Sequence, residues 1–185
     1  MLANTKVKIL PVSLPADKKF TFTAINARFA TGSLKMEFNI KELGPDGLEL
    51  ARELILFFQQ DDGISYPVVP SDDYLRDLLS KESFHILVAL KDNALIGGAT
   101  AYELDMYKKE VKEMFLYEIA VRPEYRGNGI GKALINGLKH ICGKRNIDEM
   151  YVGTTTSNQA AIKLYSSAGG EQVPDITWFV YQIEK

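Results

Sequence analysis

Arg126-Gly127-Asn128-Gly129-Ile130-Gly131-Lys132 lies between an apolar run ending at Val121 and an amphipathic stretch carrying Leu134, Leu138 and Ile141. Glycines let a backbone turn tightly and approach a ligand with no Cβ in the way. A helix that begins there aims unpaired N–H groups and the positive end of its dipole at the same point. With Arg126 and Lys132 alongside, the turn is built for an anion, and a phosphate is the natural guest. The pattern satisfies neither the dinucleotide fingerprint Gly-x-Gly-x-x-Gly nor the P-loop, whose Ser or Thr holds Mg²⁺. Phosphate binding without a metal is therefore expected.

A second element follows in the right order. Asn158-x-x-Ala161-x-x-Leu164-Tyr165-x-x-x-Gly169 comes after a short strand-like run from Glu149 to Thr154. The first motif, Arg-x-x-Gly-x-Gly at Arg126, Gly129 and Gly131, resembles the pyrophosphate-binding motif of the GNAT acetyltransferase superfamily, whose cofactor is acetyl-CoA. The second resembles the segment in which an Asn contacts pantetheine and a Tyr faces the thioester sulfur. The resemblance implies a cofactor site made of Ile119, Ala120 and Val121, the turn from Arg126 to Lys132, and Asn158. The family usually has an aromatic after the last glycine, where this chain has Gly170.

Within the superfamily, residues 36 to 185 are most similar to the aminoglycoside 3-N-acetyltransferases. The likeness rests on Asp73-Tyr74-Leu75 to Leu79, Leu95-Ile96-Gly97-Gly98 with Ala101-Tyr102, Leu116 to Val121, and Ala161 to Tyr165. It implies a cationic small-molecule amine as acceptor. The family's acidic pair before the last helix is here Asn158-Gln159.

Acetyl transfer assigns roles to particular side chains. Attack on a thioester needs a neutral amine, and a lysine-like amine with a pKa of ~10.4 is neutral only about once in 10³ to 10⁴ at pH 7. A base is worth roughly 10² to 10⁴ in rate. Glu118, near the strand end that leads into the phosphate turn, is the candidate base; its other reading is a strand Glu facing solvent. Tyr165 is the candidate acid for the departing thiolate, the alternative being a helix Tyr packed in the core. Backbone at Ile119 to Val121 would polarise the thioester carbonyl. Asp61, Asp62, Asp72 and Asp73 cluster around the loop that the GNAT resemblance implies lies beside the acceptor site, where they could attract a cation or serve as solvated loop and helix-start acids.

The elements that must position these groups are readable from periodicity. The first 35 residues, with Pro11, Pro15 and an alternating Phe20-Thr-Phe22-Thr-Ala stretch, read as an appended extension or a covering edge strand, with the enzyme proper from Met36. Then come a strand over Met36 to Leu43, a helix with Leu48, Ala51, Leu54, Ile55 and Phe58 on one face, and a helix capped by Ser71 and running through Leu79. A hairpin of Phe84 to Leu90 and Leu95 to Leu104 turns at Asp92-Asn93, followed by the strand Met114 to Val121 and the motif helix. A strand near Tyr151, a helix from Asn158 and a final strand Thr177 to Ile183 complete an α/β chain of order β-α-α-β-β-β-α-β-α-β. That is the GNAT order, a mixed central sheet with flanking helices.

At 185 residues, 46% hydrophobic, the chain can bury one sizeable core. A net charge of −2 and a pI of about 5.8 give no basic field for nucleic acid or an anionic membrane. The single Cys142 precludes an internal disulfide and reads as a packed thiol, and His85 and His140 lack metal-ligand spacing. A cytoplasmic protein is expected, and pairing into a homodimer is compatible with this composition.

Overall fold

The computed structural model describes residues 21–22, 36–174 and 176–184. Two short strands, Thr21–Phe22 (β1) and Asn39–Glu42 (β2), pair antiparallel at one edge of the sheet. The rest of the expected 1–35 extension lies outside the described residues. Phe84–Lys91 (β3) and Ala94–Asp105 (β4) form the expected hairpin, with Asp92 and Asn93 at φ 50° and 65°. Two successive positive φ angles match the right-handed twist of the flanking strands, and Asp and Asn adopt them at little cost. Lys112–Val121 (β5) adds antiparallel to β4, and Ile147–Tyr151 (β6) adds parallel to β5, giving sheet order β1-β2-β3-β4-β5-β6.

Helices cover both faces. A 3₁₀ turn over Pro45–Gly47 leads into Leu48–Asp61 (α1), which buries Ala51, Leu54, Phe57 and Phe58 against Val88, Leu90 and Leu95. Asp72–Ser80 (α2) shares that layer through Leu79, and Ser71 Oγ accepts the Tyr74 N–H as the expected N-cap. On the opposite face Ile130–Lys144 (α3) packs Ile130, Leu134, Leu138 and Ile141 over Leu87, Ile96, Met114 and Leu116. Gln159–Ser167 (α4) adds Leu164 and Tyr165 to this second cluster. A Cβ at Gly131 would lie 3.0 Å from the Leu164 side chain, so the glycine is what lets α4 seat against the start of α3.

One difference from the expected order lies after α4. Thr177–Ile183, expected as a final strand, makes no ladder in the structure. Its apolar residues fall on both faces of an extended chain, so a strand there needs cover on both sides. The sheet supplies little: Trp178 stacks on Phe115 at 6.4 Å between ring centres, while Phe179, Val180, Tyr181 and Ile183 stay exposed.

A charged network ties the strands together at the end of the sheet remote from the glycine turn. Buried Glu103 bonds to Arg145, to Lys112 at 2.9 Å and to His85 at 2.8 Å, and His85 also meets Glu42 at 2.8 Å. Burial opposes ionisation of Glu103, but hydrogen bonds from Arg145, Lys112 and His85 outweigh it and hold the carboxyl below the usual range. A lowered pKa means stability that is present above the unfolded value of ~4.3 and lost as pH falls through the folded one. Glu103→Ala should cost roughly 3 kcal/mol at pH 7 by stranding the cations, and the gap to the wild type should shrink in denaturant melts below pH 4.

Candidate active site

The geometry of β5 decides where Glu118 points. Met114 and Leu116 face the α3 side, and so do Ile119 and Val121, which is a change of parity within one strand. A register shift between Thr100 and Ala101 of β4 explains it: Thr100 pairs with Glu118 and Ala101 with Leu116, leaving Tyr117 as an extra residue. A bulge of this kind re-aims side chains locally. Without it Glu118 would share the parity of Met114 and Leu116 and enter the core. With it, Tyr117 and Glu118 both line a cavity on the α1 and α2 face.

That cavity, about 270 Å³, is walled by Phe58 and Gln59 of α1, Tyr74 and Leu78 of α2, and Thr100 and Tyr102 of β4, among others. Asp62 lines it as well, directly after α1. Burial, with help from Asp62 and then Asp61, pushes the Glu118 carboxyl up to about 7. A carboxyl poised there can take a proton at neutral pH and still be half ionised before it does so. The raised value also carries a stability signature: its contribution is present below the unfolded pKa of ~4.3 and lost as pH rises through 7. Glu118→Gln should therefore melt at a higher temperature than the wild type at pH 8, with the difference vanishing near pH 4. Equal melting curves at both pH values would show that the carboxyl is not desolvated.

The turn after β5 has the geometry expected of an anion cradle. Gly127 and Gly129 have φ of 79° and 80°, the left-handed region, and a Cβ on either would meet nothing within 4 Å. The space beside them is open to a ligand. Gly129 caps α3 without a side-chain bond, and Ala133 is the first residue to bond back, to Gly129 O at 3.0 Å. The N–H groups of Ile130, Gly131 and Lys132 thus point from the helix end with no intrahelical partner. Asn128 braces the turn by donating to the Tyr125 and Arg126 carbonyls, Arg126 Nε donates to Val121 O at 2.8 Å, and Lys132 is exposed.

Between turn and cavity lies an open strand edge. β6 pairs with β5 as far as Phe115 and Tyr151, so among the described residues no strand pairs with Leu116 to Val121 on that side. An extended ligand with amide groups can add there as a strand would. Glu118 belongs to one face of this edge, and Tyr165 packs in the α3-side cluster with Ile119 and Val121 on the other. Burial raises the Tyr165 phenol, so it holds its proton at neutral pH. Asn158 caps α4, its side-chain oxygen accepting the Ala161 N–H at 3.1 Å, which commits that oxygen to the helix.

The loop acids divide. Asp62 lines the cavity, and Asp61 pairs with Arg126 Nη2 at 2.9 Å. Asp72 and Asp73, grouped with them as candidate substrate residues, sit instead in the first turn of α2, where Asp72 pairs with Arg52 and Asp73 with Arg76. Neither lines the cavity; helix-start acids next to arginines are drawn to the helix end and to one another. The aromatic wall of Tyr74, Tyr102 and Tyr117 escaped the sequence reading, though the apolar parity change from Leu116 to Ile119 was its signal.

The acetyltransferase (GNAT) family model matches residues 50–169, which hold the cavity, the open edge, the turn and α4. This chain belongs to that family. It is 35% identical over 80 residues to N-alpha-acetyltransferase 30 of Homo sapiens, a match covering 41% of this chain and 22% of that protein. A match to N-alpha-acetyltransferase 50 of Danio rerio is 28% identical and covers 58% of this chain and 63% of that protein. The chain thus spans about a fifth of the length of the first of these curated relatives and under two thirds of the second. Among solved structures, an aminoglycoside acetyltransferase from an uncultured soil metagenomic sample, meta-AAC0020 in complex with sisomicin, superposes with a TM-score of 0.76 at 25% identity, over 80% of this chain and 97% of that one. A second soil metagenomic aminoglycoside acetyltransferase, HMB0005, reaches 0.75 at 30% identity, over 80% and 100%.

Proposed function

We propose that this chain is an N-acetyltransferase that moves the acetyl group of acetyl-CoA to a primary amine, with an aminoglycoside as acceptor and its 3-amino group as the position the sequence resemblance favours. The observation that carries the transfer is Glu118, a half-buried carboxyl raised to about 7 and set in a cavity beside an open strand edge and an anion turn. When bound, acetyl-CoA supplies a thioester as acetyl donor. The turn from Arg126 to Lys132 binds its diphosphate, and the edge from Ile119 to Val121 orients its amides and polarises the carbonyl. Glu118 takes the proton of the acceptor ammonium, directly or through a water, so that the freed nitrogen forms the new C–N bond. Tyr165 would hold a phenolic proton for the sulfur as the C–S bond breaks and would be reprotonated by the second proton that the nitrogen loses as the amide forms.

Support for the acceptor comes from the two soil aminoglycoside acetyltransferases and from Asp62 and Glu118 in the cavity. A second reading has a specific observation behind it. The cavity wall is largely apolar and aromatic, and the N-alpha-acetyltransferase relatives make the N-terminal amine of a peptide with an apolar first residue the alternative acceptor. Comparing kcat/KM for sisomicin, gentamicin-type amines and short peptides decides between them. Turnover of peptides alone would overturn the aminoglycoside and leave the transfer standing.

We also propose a homodimer, supported by the exposed Trp178, Phe179, Val180 and Tyr181 and by the β6 edge. Sedimentation at micromolar concentration should give twice 20.7 kDa, and a monomer throughout that range would contradict the pairing.

A further inference from the structure

Asp61 stands where the two halves of the site meet. It is the last residue of α1, next to Asp62 of the cavity wall, yet its carboxylate reaches across to Arg126 at the entrance of the anion turn, 2.9 Å from Nη2. Among the described residues Arg126 is otherwise anchored through Nε, to Val121 O at 2.8 Å, and its side chain is 54% exposed. One guanidinium therefore has two anionic claimants: the carboxylate that holds it now and the diphosphate that the turn is shaped to take.

We propose that Asp61 is a positioning residue that competes with the cofactor diphosphate for Arg126 and, once displaced, adds its charge to the acceptor pocket. Cofactor binding then strengthens the hold on a cationic amine, and the amine strengthens the hold on the cofactor by the same factor. The inference rests on the acetyl-transfer reading, because it takes the turn as the diphosphate site.

Other charged and titratable groups do not substitute for this link. Around Glu118, α1 and its exit contribute Asp61 and Asp62, α2 contributes Tyr74, β4 Tyr102 and β5 Tyr117. Arg52 and Arg76 are engaged by Asp72 and Asp73, and Arg122 by Glu53 and the Leu95 carbonyl. Arg126 is the cation that touches both the turn and an acid next to the cavity. Asp61 is also one of the two carboxylates that raise Glu118, so its partner affects the base as well as the cofactor.

The test is a double-mutant cycle on CoA binding, measured by calorimetry without any amine. Asp61→Asn should tighten CoA by about two- to fivefold, the range of an exposed charge pair, and the gain should disappear in an Arg126→Ala background. Asp61→Glu should restore the wild-type affinity. The acid limb of thiol release should move to lower pH in Asp61→Asn, which a purely structural defect would not do. Weaker CoA binding in Asp61→Asn, or the same change in both backgrounds, would overturn the competition. Loss of turnover dependence on Glu118 with an intact cycle would instead refute the assigned base, and a wild type that binds no CoA would remove both readings.

Discussion

Glu118→Gln lowers kcat by about 10² or more at pH 7, with the deficit shrinking as pH rises and free amine becomes abundant. The amide keeps the shape of the side chain and the bulge that aims it, so CoA affinity and fold should be retained. In the wild type kcat/KM should climb with pH through about 7, where the carboxyl titrates, because only its ionised form can accept a proton. Removing Asp62, the larger of the two charge contributions, should move that limb to lower pH. Tyr165→Phe in parallel should slow turnover while cofactor binding stays near wild type, since the lost group is the proposed proton donor, on the other face of the strand edge. Steady-state rates from pH 5 to 9 check all of this, and turnover near wild type in both Glu118→Gln and Tyr165→Phe would remove the mechanism.

Gly129→Asp should abolish measurable CoA binding under conditions where the wild type saturates, a loss of roughly 10²-fold or more. Two effects add. The residue sits at φ 80°, where a side chain is disfavoured, though less for Asp than for most residues, and the new carboxylate faces the proposed diphosphate site. Beyond its chain neighbours, no atom of the described residues lies within 4 Å of the new Cβ, so the fold has no clash to accommodate and the melting temperature should fall only modestly. Calorimetry with CoA reads the first effect and a thermal melt the second. An unchanged affinity in a folded variant would place the phosphates elsewhere.

Local signals reached the sequence reading well because they act within a few residues. Asp92-Asn93 announced the hairpin, Ser71 announced α2, and the alternating glycines announced two positive φ angles before a helix. Features set by distant partners were harder. The bulge at Tyr117 depends on how β5 registers against β4, and a single extra residue decides whether Glu118 lies in the core or in the cavity. Asp61 and Arg126 are 65 positions apart, so their pairing could not be read from spacing, and grouping all four loop acids together hid the split between cavity and helix start. Thr177–Ile183 failed as a strand for the same reason: β-patterning declares a wish to pair, while the partner edge is a property of the whole sheet.

In the proposed reaction the open edge of β5 and the turn before α3 present an acetyl donor to an amine in the cavity that Glu118 lines. Incubating the protein with acetyl-CoA, EDTA and a panel of sisomicin, gentamicin-type amines and apolar-headed peptides, and measuring thiol released against acetyl gained by mass spectrometry, tests it directly. One thiol per acetylated amine, dependent on the amine and indifferent to EDTA, is the predicted result. CoA binding with no amine-dependent thiol release across the panel would contradict it and make the chain an acyl-CoA-binding module.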